Sequence, residues 1–151
     1  PIEVLVRNYF AGSLSKKFGV KEGTPLNDTL IEYCLKSDEL GDPHISSEHI
    51  LNIGLCSFDE LELIDEYALR INDILRGIFY SIGINLIDFK LEFGICKKTK
   101  EVILADEISP DTCRLWDLKT NKKLDKDRFR RDLGDVESAY QEVLERLNIK
   151  S

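Results

Sequence analysis

The sequence of 151 residues contains no methionine, and this absence bears on how much of a protein it represents. Without an initiator, the chain opens directly on PIEVLVRN, which contains an apolar and β-branched run that no turn precedes. Such a run is typical of a strand entered in the middle of a protein. We therefore expect the chain to be a piece of something longer.

Long apolar runs and a basic surface are also absent. No run approaches the roughly 18 apolar residues of a membrane span, and no basic-then-apolar leader is present. The formal net charge of −7 argues against nucleic acid, because duplex binding relies on a net basic surface. We expect neither a membrane nor a nucleic acid as a partner.

Paired metal-binding motifs are missing as well. The four cysteines, Cys34, Cys56, Cys96 and Cys113, form no CxxC pair, and the two histidines lack HExxH spacing. Structural zinc is therefore not expected. Reduced thiols in a cytoplasmic protein are the simplest interpretation.

The patterns that are present predict an α+β fold in one lobe spanning residues 1–151. Strands are expected at 2–6 and 29–35, with a polar corner at 7–8, and short helices at 14–18 and 46–52. The clearest helix, 58–82, has capping-box spacing at Ser57 and Glu60 and an apolar stripe that includes Ile78. Gly83 is the expected terminator. A last helix is expected at 136–147.

Two acidic segments carry the most chemical information, LIDFKLEFG (86–94) and LADEISPD (104–111). As a strand, the first places Asp88, Lys90 and Glu92 on one face. A hairpin would bring Asp106 near Glu92. Two carboxylates beside a lysine suit Mg²⁺ and a phosphate, although an ordinary amphipathic hairpin with a solvated face explains the period equally well.

Other polar clusters fit the same hypothesis. Arg7 with Gly12 and Ser13 suits an anion such as phosphate, although a solvated turn explains it as well. Arg114 follows the second acidic segment and is expected to point toward a metal or bound acid. The charged run at 124–134 is expected to be mostly a solvated face, from which one or two charges could reach a ligand. There is no GxxxxGK[ST] and no GxGxxG, so spacing alone supports only Mg²⁺-dependent phosphate chemistry.

Four segments together resemble one family. PIEVLVRNYFAGS and LIDFKLEFG resemble the two signature segments of the SAICAR synthetase family, and LADEISPDTCRLWD and LDKDRFRRDLG also match its pattern. The resemblance implies the larger lobe of that fold, related to ATP-grasp and kinase folds, with an antiparallel sheet packed by helices. It also implies a homodimer.

The family's reaction is an ATP-dependent ligation. Carboxyaminoimidazole ribonucleotide (CAIR) is activated at its carboxylate by ATP, and L-aspartate displaces phosphate to give SAICAR, ADP and Pi. The resemblance implies Mg²⁺ at Glu92 and Asp106, and catalytic roles for Asp88 and Lys90. Residues implied to bind substrate are Arg7, Ser13, Lys36, Asp42 and Arg114.

One departure from the family concerns its N-terminal nucleotide lobe, which the sequence lacks. We therefore expect the isolated chain to be inactive. A kinase-like phosphotransferase lobe is the main alternative, although an HRD-type catalytic loop is absent. A non-catalytic cation-binding module is the second alternative.

Overall fold

The computed structural model describes residues 2–95, 102–104 and 112–124. Predictions for Asp106, for Cys96, for residues 125–134 of the charged run and for the helix at 136–147 lie outside these ranges. Within the ranges the elements are β1 (Ile2–Tyr9), α1 (Gly12–Phe18), β2 (Pro25–Leu35), β3 (His44–Ile45), α2 (Ser47–Ile53), α3 (Phe58–Ser81), β4 (Ile84–Ile95), β5 (Val102–Leu104) and β6 (Cys113–Asp117).

The strands form one antiparallel sheet in the order β3-β2-β1-β4-β5, with β6 also paired to β4. β4 is central, because β1 lines one of its edges while β5 and β6 share the other. The pairing of Phe93 with Leu104 joins the two acidic segments, as a hairpin requires. With its helices packed on the sheet, the fold is α+β, as predicted.

The long helix α3 covers one face of the sheet and defines the core. The predicted capping box is confirmed, with Glu60 N donating to Ser57 Oγ at 3.2 Å and Ser57 N donating to Glu60 Oε1 at 2.8 Å. The predicted apolar stripe is wrong at Ile78, which is 46% exposed. The buried side of α3 includes Asn72 and Phe79, which are seven residues apart and lie on the same side of the helix. Ile78 precedes Phe79 by one residue and is therefore turned about 100° away from that side.

Alternation along β1 and β4 separates an apolar face from a polar one. The buried apolar residues that share the core with α3 include Ile2, Val4 and Val6 on β1 and Phe89, Leu91 and Phe93 on β4. Side chains of intervening residues therefore lie on the opposite face, which is where the sequence placed Asp88, Lys90 and Glu92. This face carries the candidate site.

Two strand boundaries differ from the prediction. The polar corner at 7–8 is wrong, because β1 continues to Tyr9 and Arg7 pairs with Leu30 on one side and Asp88 on the other. β2 begins at Pro25 rather than at residue 29. Proline has no N–H group to donate to a neighbouring strand, but it is tolerated at the first position of a strand.

Among the described residues, no helix has the length and apolarity that a membrane crossing requires. One histidine caps a helix. His49 completes a capping box with Ser46 at the start of α2, where its ring accepts from Ser46 N at 3.2 Å.

A tyrosine that joins β2 to α3 makes stability sensitive to high pH. The Tyr33 hydroxyl donates to Asp65, and burial followed by this hydrogen bond and the charge of Asp65 raises the pKa of Tyr33. Its contribution is fully present below the unfolded pKa, about 10, and is lost as the pH rises above it. We expect Tyr33→Phe to flatten the fall in unfolding free energy as the pH rises from about 10 to about 12, measured by urea denaturation. Equal falls in both proteins would contradict this.

Candidate active site

Four strands supply the polar face of the sheet. Glu3, Leu5 and Arg7 of β1 lie opposite Glu92, Lys90 and Asp88 of β4, in that order. On the other side of β1, Cys34 of β2 pairs with Glu3. On the other side of β4, Arg114 of β6 pairs with Asp88. Charged residues far apart in sequence therefore meet in one plane.

The centre of this face is an arginine cluster made of Arg7, Glu32, Asp88 and Arg114. Arg114 Nη1 donates to both oxygens of Asp88 at 3.0 Å, and Arg7 Nη1 lies 3.5 Å from Asp88 Oδ2. The Nε group of Arg7 donates to Glu32. Arg7 is 4% exposed and Asp88 5%. One buried guanidinium, that of Arg7, and the partly exposed one of Arg114 are thus fixed by carboxylates. Such pairing is the condition under which a charge like that of Arg7 persists in a protein interior.

A hydroxyl extends the cluster toward the start of α1. Arg7 Nη2 donates to Ser13 Oγ at 3.3 Å. Arginine offers five N–H donors in a planar fork, which suits the oxygens of a phosphate better than a point charge does. Because Ser13 and Arg114 line the same cleft as Arg7, the three predicted anion-binding residues are brought together.

A β-bulge in β4 directs Asp88 into the cluster. Leu86 pairs with Leu115 of β6 and Asp88 pairs with Arg114, so Ile87 is the extra residue. Regular alternation would put Leu86 and Asp88 on the same face. Instead Leu86 lies in the core with α3, and Asp88 faces the guanidiniums. Bulges commonly re-aim a side chain in this way near functional sites.

The absence of a side chain at Gly12 leaves room for the guanidinium of Arg114. Gly12 has φ +56°, and a Cβ atom built there would lie 2.5 Å from Arg114 Nη2. Its N–H also donates to Glu22 Oε1 at 3.4 Å. A side chain at this position would meet a guanidinium that Asp88 already holds.

We therefore expect Gly12→Ala to displace Arg114 and weaken binding of a phosphate-bearing ligand. The backbone strain alone is about 1–2 kcal/mol, and the steric conflict adds to it. Titration calorimetry with CAIR is expected to show affinity lowered by about tenfold or more. Gly19→Ala is the matched control, since Gly19 is also left-handed at φ +63° but has nothing within 4 Å of the added carbon. Equal loss of affinity in both variants would contradict the steric account.

Beyond the cluster, the face continues as alternating lysines and glutamates. Lys90 Nζ lies 3.2 Å from Glu3 Oε2, and Lys36 Nζ lies 2.7 Å from Glu92 Oε2. Both lysines are about half exposed while the glutamates are mostly covered. The lysine heads therefore point toward solvent, where a ligand can reach them.

Three members of the arginine cluster, Arg7, Asp88 and Arg114, line a single cleft of about 310 Å³ together with Lys90. Asp42 also lines it, and Asp42 Oδ1 accepts from Ser37 N at 2.7 Å in a loop where Asp42 has φ +49°. Six predicted site residues thus share the cleft: Arg7, Ser13, Asp42, Asp88, Lys90 and Arg114. Lys36 and Glu92 pair with each other, with Glu92 opposite Glu3.

The donors for a hard cation are only partly within the described ranges. Among those residues no group of three potential ligands is close enough to hold a metal ion. Glu92 supplies a carboxylate beside Glu3, and oxygen donors of this kind suit Mg²⁺. The second predicted ligand, Asp106, lies outside the described residues. Mg²⁺ binding by Glu92 and Asp106 therefore stays a prediction.

Sequence reasoning missed four residues of this face: Glu3, Glu32, Cys34 and His44. Glu3, Cys34 and His44 line the cleft, and Glu32 fixes Arg7. Glu3 could have been found from the sequence. It lies four residues before Arg7 in an otherwise apolar run, and a strand places both side chains on the same face. Burial and then the nearby charge of Glu3 raise the pKa of the Cys34 thiol.

Comparison with known proteins shows the family of this chain. A family profile for SAICAR synthetase matches residues 1–147. The chain belongs to the SAICAR synthetase family. It is 60% identical to the phosphoribosylaminoimidazole-succinocarboxamide synthase of Sphingopyxis alaskensis, across 99% of this chain and 58% of that protein. The protein of the same name from Rhodospirillum centenum is 58% identical, across 99% and 59%.

Solved structures of the SAICAR synthetase family show the same fold. Phosphoribosylaminoimidazole-succinocarboxamide synthase from Ehrlichia chaffeensis superposes with a TM-score of 0.94 at 51% identity, covering 98% of this chain and 63% of that one. A SAICAR synthetase solved in complex with ADP gives a TM-score of 0.91 at 50% identity, covering 97% and 62%. The chain thus spans about three fifths of the length of these relatives.

Proposed function

We propose that this chain is the CAIR- and metal-binding lobe of an ATP-dependent ligase that joins L-aspartate to CAIR, giving SAICAR, ADP and Pi in purine biosynthesis. The observation that carries the proposal is the arginine cluster, whose members Arg7, Asp88 and Arg114 line one cleft with Ser13 and Lys90. The names of the relatives support it. The nucleotide lobe would be supplied by sequence outside this chain.

The two guanidiniums would bind the 5′-phosphate of CAIR. Arg7 and Arg114 already hold Asp88 between them, and Ser13 adds a hydroxyl on the same side. Fixed, desolvated donors bind a dianion strongly because little reorganisation is needed. Asp88, predicted as catalytic, would act by holding the guanidiniums in place.

Lys90 would act at the reacting end. A carboxylate oxygen of CAIR attacks the γ-phosphorus of ATP, and the bond to the oxygen that leaves with ADP breaks. The aspartate amine then attacks the acyl carbon, phosphate leaves, and the amine loses a proton to solvent. An ammonium that faces the cleft can neutralise the carboxylate and the transferred phosphoryl group.

Glu92 and Asp106 would hold Mg²⁺, which neutralises phosphate oxygens when it is bound. Lys36, which pairs with Glu92 at 2.7 Å, and Asp42, which lines the cleft, would complete the substrate-binding wall. Lys36 is about half exposed, so its ammonium group can move from Glu92 to a ligand. The mostly covered Glu92 carboxylate would then be neutralised by Mg²⁺.

We also propose small molecules as the partners, namely CAIR, L-aspartate and ATP, together with a homodimer in the cytoplasm. The acidic net charge of −7 supports a protein that binds no nucleic acid. A ligand as anionic as CAIR would then depend on local positive charge at the arginine cluster and the lysines.

The test is a turnover assay of the full-length protein that contains this chain, with CAIR, ATP and L-aspartate each omitted in turn. We expect phosphate release to accompany SAICAR formation only when all three are present. Sustained phosphate transfer to an acceptor without aspartate would favour the kinase-like alternative. The isolated chain is expected to form no SAICAR, and measurable product from it would overturn the division between lobes.

A further inference from the structure

On the opposite face of the sheet from the cleft, a polar cluster is buried between β1, β2 and α3. Asn8 Nδ2 donates to Asn72 Oδ1 at 2.9 Å, and Asn72 Nδ2 donates back to Asn8 Oδ1 at 3.0 Å. Thr29 Oγ1 joins both, at 3.2 Å to Asn8 Oδ1 and 3.3 Å to Asn72 Nδ2. Asn8 is 5% exposed and Asn72 only 1%. We call these three residues the amide cluster.

Such a cluster is an unusual choice for the packing surface of a helix. Apolar residues of the same size would fill the space without the cost of desolvating two amides. The hydrogen bonds within the amide cluster offset the desolvation of the two amides only when the three side chains adopt one arrangement. A connected buried network of this kind therefore specifies position more than it adds stability.

A hydrogen bond connects the amide cluster to the β-bulge. Asn8 Nδ2 also donates to the backbone oxygen of Leu86 at 3.2 Å, directly before the extra residue Ile87. The regular pairing of β1 with β4 ends one step earlier, at Arg7 and Asp88. The Asn8 side chain therefore anchors the bulge on one face of the sheet while its neighbour Arg7 contacts Asp88 on the other.

We propose that Asn8, Thr29 and Asn72 are positioning residues for the phosphate-binding arginine cluster. By fixing the Leu86 carbonyl they hold the bulge that turns Asp88 toward Arg7 and Arg114. The guanidiniums then keep the spacing that a phosphate requires. This inference rests on the proposed function of the cleft, and it adds residues that never touch the substrate.

Titration calorimetry of the chain with CAIR, and with its riboside lacking the 5′-phosphate, tests the inference. Thr29→Val keeps the shape of the side chain and removes the hydroxyl, whereas Thr29→Ser keeps the hydroxyl. We expect Thr29→Val and Asn72→Leu to lower CAIR affinity by about tenfold, since small misplacements of binding groups are costly. Riboside affinity is expected to stay unchanged, and Thr29→Ser is expected to bind CAIR as the unaltered chain does.

Ile64→Val is the control for a purely structural effect, because Ile64 is a buried core residue of α3 outside the amide cluster. It is expected to lower stability and leave both affinities unchanged. If Asn72→Leu does not fold, the Thr29 pair decides. Unchanged CAIR affinity in folded Thr29→Val, or an equal loss in Ile64→Val, overturns the inference alone. Failure of the unaltered chain to bind CAIR overturns the proposed function, and the inference with it.

Discussion

Replacing Asp88 with asparagine is expected to lower the free energy of unfolding of the chain by about 3–5 kcal/mol and to abolish CAIR binding. Asp88 is buried between Arg7 and Arg114, and the neutral amide would leave two guanidiniums facing each other without a carboxylate between them. Removing one partner from a buried charge cluster has a cost of about this size. Urea denaturation followed by circular dichroism measures the first effect, and titration calorimetry the second.

Glu66→Gln is the matched control for Asp88→Asn. Glu66 pairs with Arg70 at 2.9 Å on the surface of α3, and both side chains are more than half exposed. Solvent screens such a pair, so its loss is expected to change stability by no more than about 0.5 kcal/mol. A similar small change in Asp88→Asn would show that the arginine cluster is not fixed by Asp88.

The second large effect is expected for Glu92→Gln in the full-length protein. The amide keeps the size of the side chain but loses the charge that would bind Mg²⁺ and that now pairs with Lys36. Loss of a fixed electrostatic group of this kind lowers turnover by about 10²–10³-fold. We expect that fall in the rate of SAICAR formation, together with a raised Mg²⁺ requirement.

Glu62→Gln, an exposed carboxylate on α3, is expected to leave both the rate and the Mg²⁺ requirement unchanged. If Glu92→Gln weakens cation binding but leaves turnover intact, Glu92 would belong to a peripheral cation site. That is the outcome expected of a non-catalytic binding module.

The polar face of β4 could be predicted from sequence because the alternation of Asp88, Lys90 and Glu92 is a local property of a strand. The same alternation misplaces Leu86, which regular pleating puts beside Asp88. The bulge at Ile87 arises from pairing with β6, and from the Asn8 hydrogen bond to Leu86. Both depend on residues distant in sequence, so no local pattern could indicate them.

The burial of Arg7 could not be predicted for a similar reason. A strand followed by Arg-Asn looks like an exit into solvent, because an isolated guanidinium is costly to bury. Only the sheet brings Glu32 and Asp88 beside it, from positions 25 and 81 residues away. The burial of Arg7 as a paired cation therefore depends on tertiary structure.

The most direct test of the account is the contribution of the 5′-phosphate to CAIR binding by the 151-residue chain. Calorimetric titration with CAIR and with the riboside that lacks the phosphate isolates that contribution. Two charge-assisted hydrogen-bonding groups, Arg7 and Arg114, are expected to make CAIR bind at least about 100-fold more tightly. Equal affinity for the two compounds would contradict the assignment of the arginine cluster as the phosphate site.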